Sequence, residues 1–251
     1  MKFDKIRDYL KDIPHTPPED GEILYNFVLK NQCGNILELG FQHGVSTLYM
    51  AAALDELNFG KITTIDNKTA LEVKPTIFEL TKLTGLETYI NPIFANNSYT
   101  WELMKILNNN ALNQTKNKFD FCFIDGAHNW ETDGFAFFLV DKLLLSGSYI
   151  LFDDLFWSYS QSQGLKHTDF VKLMADDEKN TPQIELVFKL LVAEHPNYTD
   201  LKIDGRWGWA KKINSDIDFD SNKLDEIYNQ TSITRDFQNI ARKIKSRIKN
   251  L

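Results

Sequence analysis

The 251-residue sequence has only two cysteines, Cys33 and Cys122, and neither belongs to a C-x-x-C pair. That scarcity argues against a disulfide scaffold or a thiolate zinc site; Cys122 lies in an apolar run, so both are expected as reduced, structural thiols. Long hydrophobic runs are also missing. The most apolar short stretch, Phe135 to Val140, falls far below membrane-spanning length, and the charged opening Met1-Lys2-Phe3-Asp4-Lys5-Ile6-Arg7-Asp8 has no signal-peptide core. A cytoplasmic protein without a transmembrane segment is expected. Positive charge is in deficit, at a formal net charge of -7. The chain as a whole repels polyanions, so nucleic acid is not an expected partner. No internal repeat or low-complexity segment is present.

What is there reads as an ordinary folding chain: hydrophobic residues at 43% and charged residues at 25% can build and solubilise one large α/β domain. Phe3, Ile6, Leu10 and Ile13 recur at helical spacing up to Pro14, and a second helix opens near Pro18-Glu19-Asp20 and carries Ile23, Leu24, Phe27 and Val28 inward. Strand and helix patterns then alternate: strand 35–40, helix 44–57, strand 61–66, helix 71–83 and strand 87–94. A turn-rich region at Asn108-Asn109-Asn110 follows, then strand 119–125, helix 130–145 and strand 148–153. This rhythm predicts parallel strands with right-handed helical crossovers. Further on, Pro182 opens an apolar helix to about His195, and 198–204 with 207–213 form a hairpin turning at Gly205-Arg206. The expectation is a doubly wound, Rossmann-like α/β fold. Its sheet is mostly parallel and seven-stranded with an antiparallel edge hairpin, and helices lie at both termini. Residues 1–33 would form N-terminal helices, 34–214 the central domain and 215–251 a basic amphipathic helical extension, through which a homodimer could form.

Two stretches carry chemistry. In Ile36-Leu37-Glu38-Leu39-Gly40-Phe41-Gln42-His43-Gly44-Val45-Ser46-Thr47 an apolar strand runs through a glycine turn into a helix. Glu38 at the strand end, flexible backbone at Gly40 and Gly44, and Ser46 in the first helical turn provide close approach and free N–H groups for a carboxylate or phosphate. The next strand ends in Asp66, an acid placed to accept hydrogen bonds from ribose hydroxyls, so the ligand is expected to contain a nucleoside. The Gly40-x-x-x-Gly44 spacing is wider than the G-x-G-x-x-G of a dinucleotide clamp.

The second stretch ends two apolar strands in acid, at Asp125 and at Asp153-Asp154. Adjacent parallel strands lie about 4.8 Å apart, so these carboxylates can converge on one hard, oxygen-ligated cation such as Mg²⁺ or Mn²⁺. His128, three residues past Asp125, is the candidate base. His15, His43, His167 and His195 read as loop or packing residues.

Together these residues resemble the class I S-adenosylmethionine-dependent methyltransferases over about residues 34–155, specifically their metal-assisted O-methyltransferase branch. Catechol O-methyltransferase has a similar cradle. Macrocin-type sugar O-methyltransferases share an Asp-x-x-His followed by an Asp-Asp pair. The resemblance implies that Glu38, Gly40 and Ser46 hold the methionine end of S-adenosylmethionine and Asp66 its ribose. Adenine would lie near Ala95, Asn96 and Ser98, with Gly44 and Asp125 completing the cofactor site. It further implies that Asp125, Asp153 and Asp154 ligate a divalent cation (Mg or Mn), and that His128 takes the base position of a lysine in the catechol enzymes. The histidine, and an Asp where that branch has Asn in the pair, favour the sugar-modifying relatives.

The expected partner is a small-molecule acceptor, a carbohydrate or small phosphorylated metabolite, with Pro14–Pro18 and Phe156-Trp157-Ser158-Tyr159 as candidate pocket walls. A metal-dependent hydrolase using Asp125, His128, Asp153 and Asp154 is the alternative, but it would not need the cradle and Asp66 in register. A third reading docks the basic C-terminal helix on a partner or an anionic membrane surface.

Overall fold

A computed structural model of the chain describes residues 1–113 and 118–213. In chain order, α1 (Phe3–Leu10) and α2 (Pro18–Asn31) precede β1 (Asn35–Leu39), α3 (Val45–Leu57), β2 (Lys61–Asn67), α4 (Ile77–Thr84) and β3 (Ile90–Ala95). Then come α5 (Tyr99–Asn113), β4 (Phe119–Ile124), α6 (Trp130–Leu143), β5 (Leu144–Phe152), the short helices α7 (Asp169–Leu173), α8 (Asp176–Asn180) and α9 (Gln183–Leu186), and finally β6 (Tyr198–Asp204) and β7 (Trp207–Lys212). The seven strands form one sheet in the order β3-β2-β1-β4-β5-β7-β6. β1 to β5 pair in parallel, and β7 pairs antiparallel to both β5 and β6. The order reverses between β1 and β4, the point where an open α/β sheet leaves a crevice at its C-terminal ends.

Strand alternation sends side chains to two helical layers. Leu37, Leu39, Cys122 and Ile124 pack with Phe137 and Val140 of α6 and Leu103 of α5. Ile36, Phe121 and Phe123 pack on the other face with Leu48, Tyr49 and Leu54 of α3. Residues 45–54 of α3 are all buried because α1 and α2 cover the side turned from the sheet. Gly21 of α2 permits that closeness: a Cβ there would stand 2.3 Å from the Tyr49 ring.

Several elements differ from the sequence reading. The strand read as 87–94 begins at Ile90, after a single 3-10 turn at Glu87–Tyr89. The helix read as 71–83 is a 3-10 turn, Lys68–Leu71, followed by α4, whose start is fixed by a capping box between Thr76 and Glu79. Asn108, Asn109 and Asn110 are helical, inside α5, because Leu103, Ile106 and Leu107 pack on the core and outweigh the poor propensity of asparagine. The helix expected from Pro182 to His195 is α9 running into a π-helical turn, Val187–Val192. Both cysteines are buried free thiols. No helix among the described residues is long and apolar enough to cross a membrane. The basic C-terminal helix, and the dimer expected through it, lie outside the described residues.

Candidate active site

Backbone hydrogen bonds carry the sheet past its strands and set the site. Gly40 N–H donates to the Ile65 carbonyl (2.8 Å), Asp125 N–H to Leu39 (2.8 Å) and Asp153 N–H to Ile124 (3.0 Å). The glycine turn and the acids of two neighbouring strands therefore stand side by side at one rim. Gly40 is required there: its φ is +88°, and a Cβ would fall 2.1 Å from the Asp125 carbonyl oxygen.

Asp66 fixes the turn. Its Oδ2 accepts the N–H groups of Phe41 (2.8 Å) and Gln42 (2.7 Å), and its Oδ1 accepts that of Asn67 (2.6 Å). The turn donors expected to be free for a ligand are thus partly used inside the protein. Glu38 lies behind the turn with none of its surface exposed. Its carboxylate accepts the hydroxyls of Ser46 (2.6 Å), Thr47 (2.5 Å) and Thr64 (2.6 Å). Burial pushes its pKa up to about 7 against the pull of these three bonds.

Above the rim opens a cavity of about 750 Å³, within the size range of small-molecule sites. Gly40, Ser46, Asp66, Asp125, His128, Asp153 and Asp154 line it. Glu38 and Gly44 do not, and neither do Ala95, Asn96 and Ser98. Ala95 is buried at the end of β3, and Ser98 Oγ caps the chain into α5 through Thr100 N–H (3.1 Å). The wall beside Asp66 is built instead from Asn67, Thr69, Ala70, Glu72 and Val73. Of the two segments expected to wall an acceptor pocket, Pro14–Thr16 does so. Phe156 to Tyr159 do not, and Ser162, Gly164 and Leu165 take their place.

His128 sits between two acids. Nε2 is 3.4 Å from Asp125 Oδ1 and 3.3 Å from Asp154 Oδ2, close enough for ion pairs yet without an aligned hydrogen bond. Burial opposes the imidazolium, but the polar contacts and charges of Asp125 and Asp154 outweigh it and hold the pKa well above the histidine range. The loop carrying His128 is clamped from beneath. Tyr99 Oη accepts Ala127 N–H (3.2 Å) and donates to Asp133 Oδ1, Asp133 Oδ2 accepts Asn129 N–H (3.2 Å), and Tyr159 Oη donates to the Ala127 carbonyl (3.2 Å). Asp133 is fully buried.

The acids are not equivalent. Asp125, His128 and Asp154 each offer a ligand atom, all within 4.8 Å of one another, and Asp153 stands outside this group. Only 3% of its surface is exposed; its Oδ1 accepts Asp154 N–H (2.7 Å) and its Oδ2 pairs with Arg206 Nη2 (3.0 Å). Burial and the charges of Asp125 and Asp154 raise its pKa, with Arg206 opposing. Burial also acts to raise that of Asp154, but His128 and Arg206 bring it below the usual carboxylate range.

Arg206 was not singled out by the sequence reading. It also binds Asp20 Oδ2 of α2 (2.9 Å) and Asp154 Oδ1 (3.2 Å), so a guanidinium already answers part of the repulsion among the acids. His15 and His43, read as ordinary loop residues, both stand on the cavity wall with their rings 5.7 Å apart. His43 Nδ1 lies 2.8 Å from the Pro75 carbonyl, which fixes that nitrogen as the N–H donor. Burial and the facing His43 lower the pKa of His15, with Asp125 opposing.

Comparison with known structures identifies the architecture as the class I methyltransferase fold. An O-methyltransferase from Bacillus cereus in complex with SAH aligns at a TM-score of 0.57 and 18% identity, over 84% of this chain and 92% of that one. TomG from Streptomyces achromogenes, involved in tomaymycin synthesis and solved with SAM, aligns at 0.56 and 17%, over 84% and 89%. MycE from the mycinamycin biosynthetic pathway, in complex with Mg, SAH and mycinamycin VI, aligns at 0.52 and 16%, over 86% of this chain and 56% of that one. Within this fold, residues 37–155 match the family model described as a methyltransferase domain. No curated protein is significantly similar to the chain in sequence.

Proposed function

We propose that the protein is an S-adenosylmethionine-dependent O-methyltransferase that methylates a hydroxyl of a carbohydrate, assisted by a divalent cation. The observation that carries the reading is one cavity with the Gly40–Ser46 turn on one side and Asp125, His128 and Asp154 on the other. The methyltransferase-domain match and the SAH- and SAM-bound neighbours support the donor. MycE, solved with Mg, SAH and mycinamycin VI, supports the cation.

The residues fit both groups. S-adenosylmethionine supplies a methyl group on a cationic sulfonium, and the acids along this wall favour a positive charge beside them. Ser46 and Asp66 face the cavity, and Asp66 Oδ1 keeps acceptor capacity for a ribose hydroxyl beyond its one short bond. The carboxylates of Asp125 and Asp154 form an oxygen donor set for a small divalent ion, with the His128 imidazole beside them. Asp125 and Asp154 would hold that ion, with Asp153 behind them. An ion there would acidify the acceptor hydroxyl and weaken the grip of the two carboxylates on the His128 proton. With its own proton released to solvent, His128 would accept the proton that the acceptor oxygen loses as the methyl group passes from the sulfonium sulfur to that oxygen. Asp125 and Asp154 orient the imidazole, and the Tyr99–Asp133 clamp holds its loop. On the described wall the cations are Arg206 and His128, each paired with acids, so a phosphorylated acceptor meets no spare counter-charge. That favours a neutral sugar over a phosphorylated metabolite. The hydrolase reading is disfavoured, since residues 37–155 match a methyltransferase domain and a hydrolase has no use for the cradle.

Isothermal titration with S-adenosylmethionine and S-adenosylhomocysteine tests the reading, followed by methyl-transfer assays on neutral glycosides with and without chelator. Failure to bind either compound refutes it, and full activity in chelator refutes the cation.

A further inference from the structure

Register places one side chain where the sequence offers no hint of it. β7 runs antiparallel to β5 with Gly208 opposite Phe152, which brings Arg206, just before β7, level with the acids just after β5. The Arg206 carbonyl accepts Leu155 N–H (2.9 Å), so the backbone is pinned to the same loop as the side chain. The fork then spans three carboxylates, with Nη2 on Asp20 (2.9 Å) and Asp153 (3.0 Å) and Nη1 on Asp154 (3.2 Å). As a result Asp153 has one oxygen on Asp154 N–H and the other on Arg206, and Asp154 divides its oxygens between Arg206 and His128.

Resting on the cation reading above, we infer that Arg206 is a latch that competes with the divalent cation for Asp154, with Asp20 and Asp153 as its alternative partners. A cation on Asp154 draws on a carboxylate whose other oxygen and charge the guanidinium holds, and Asp20 keeps the displaced fork paired instead of leaving a half-buried charge alone. Arg206 is a positioning residue here. It sets how tightly the site holds metal and joins metal occupancy to the β6–β7 hairpin and the start of α2. Planar, bidentate geometry is essential, because a lysine can hold one of these acids at a time but not all three.

The test is Mn²⁺ binding to the full chain, followed by the electron paramagnetic resonance signal of the free ion, with circular dichroism melts to verify folding. R206Q is expected to bind Mn²⁺ about tenfold more tightly than the parent protein, R206K to fall between the two, and D20N to bind several-fold more weakly because the fork then rests on Asp153 and Asp154 alone. R206K equal to the parent would reduce the effect to bulk charge and overturn the latch, as would unchanged or weaker binding in R206Q. If R206Q does not fold, R206K and D20N decide the matter by the same criteria. Equal Mn²⁺ affinity in all four proteins removes the latch and leaves the cation reading standing. No Mn²⁺ binding in any of them removes both.

Discussion

Glu38 makes a quantitative prediction, because two opposed effects act on one carboxylate. Burial disfavours its charge, while hydroxyls from Ser46, Thr47 and Thr64 favour it, and burial wins, with the pKa pushed up from 4.5 to about 7. Between those two values the native state therefore holds a proton that the unfolded chain has released, so stability falls as pH rises through this window. The stabilisation is complete below about pH 4.5 and lost above about pH 7. At about 1.4 kcal/mol per pH unit the span is worth about 3 kcal/mol. Glu38→Gln has nearly the same shape and no titration. Urea unfolding of both proteins at a series of pH values should give a stability difference that swings by about 3 kcal/mol towards the glutamine variant between pH 4 and pH 8. Parallel curves across that range would show that Glu38 titrates normally, and a swing in the other direction would show that the three hydroxyls dominate.

Replacing His128 with Ala should lower kcat by about a hundredfold or more while leaving the dissociation constant for S-adenosylhomocysteine within a few-fold; equal loss of both would assign His128 to binding. Asp66→Ala strips the partner from the N–H groups of Phe41, Gln42 and Asn67, so calorimetry should show cofactor affinity falling by about tenfold or more, with a lowered melting temperature. In Tyr99→Phe the Asp133 carboxylate and Ala127 N–H lose a partner beneath the His128 loop, and a stability loss of about 1–3 kcal/mol should appear in denaturant melts. Gly40→Ala should abolish folding or cofactor binding outright, since its Cβ has nowhere to go but into the Asp125 carbonyl.

The legible part of this protein was the part fixed by local pattern. Apolar runs such as Phe121-Cys122-Phe123-Ile124 announced strands covered on both faces, and each ended in the acid that the structure sets at the rim. The Asn108–Asn110 helix escaped because its propensity argues one way and its packing another, and packing decides. Arg206 escaped for a different reason: its partners Asp20, Asp153 and Asp154 are brought to it by the antiparallel entry of β7 beside β5, which no spacing in the chain encodes. Glu38 and Asp66 are legible as site acids, but their bonds within the protein are not: Glu38 takes three hydroxyls behind the turn, and Asp66 braces the turn from the cavity wall.

Backbone strain adds a signal that side-chain chemistry does not. Of the non-glycine residues with positive φ, His15 (89°), Gln42 (43°), His128 (55°) and Asp154 (53°) all line the cavity above the rim. Such conformations cost energy unless the surroundings impose them, and they concentrate where a side chain must be aimed. Here the imposing contacts can be named: Asp66 on the Gln42 N–H, Asp133 and Tyr99 on the His128 loop, and Asp153 with Arg206 about Asp154. If those contacts exist to aim the side chains, glycine at position 128 or 154 should raise the melting temperature, or leave it unchanged, while abolishing methyl transfer. A large loss of stability from either glycine would mean instead that these turns serve the fold and that the side chains are placed by default.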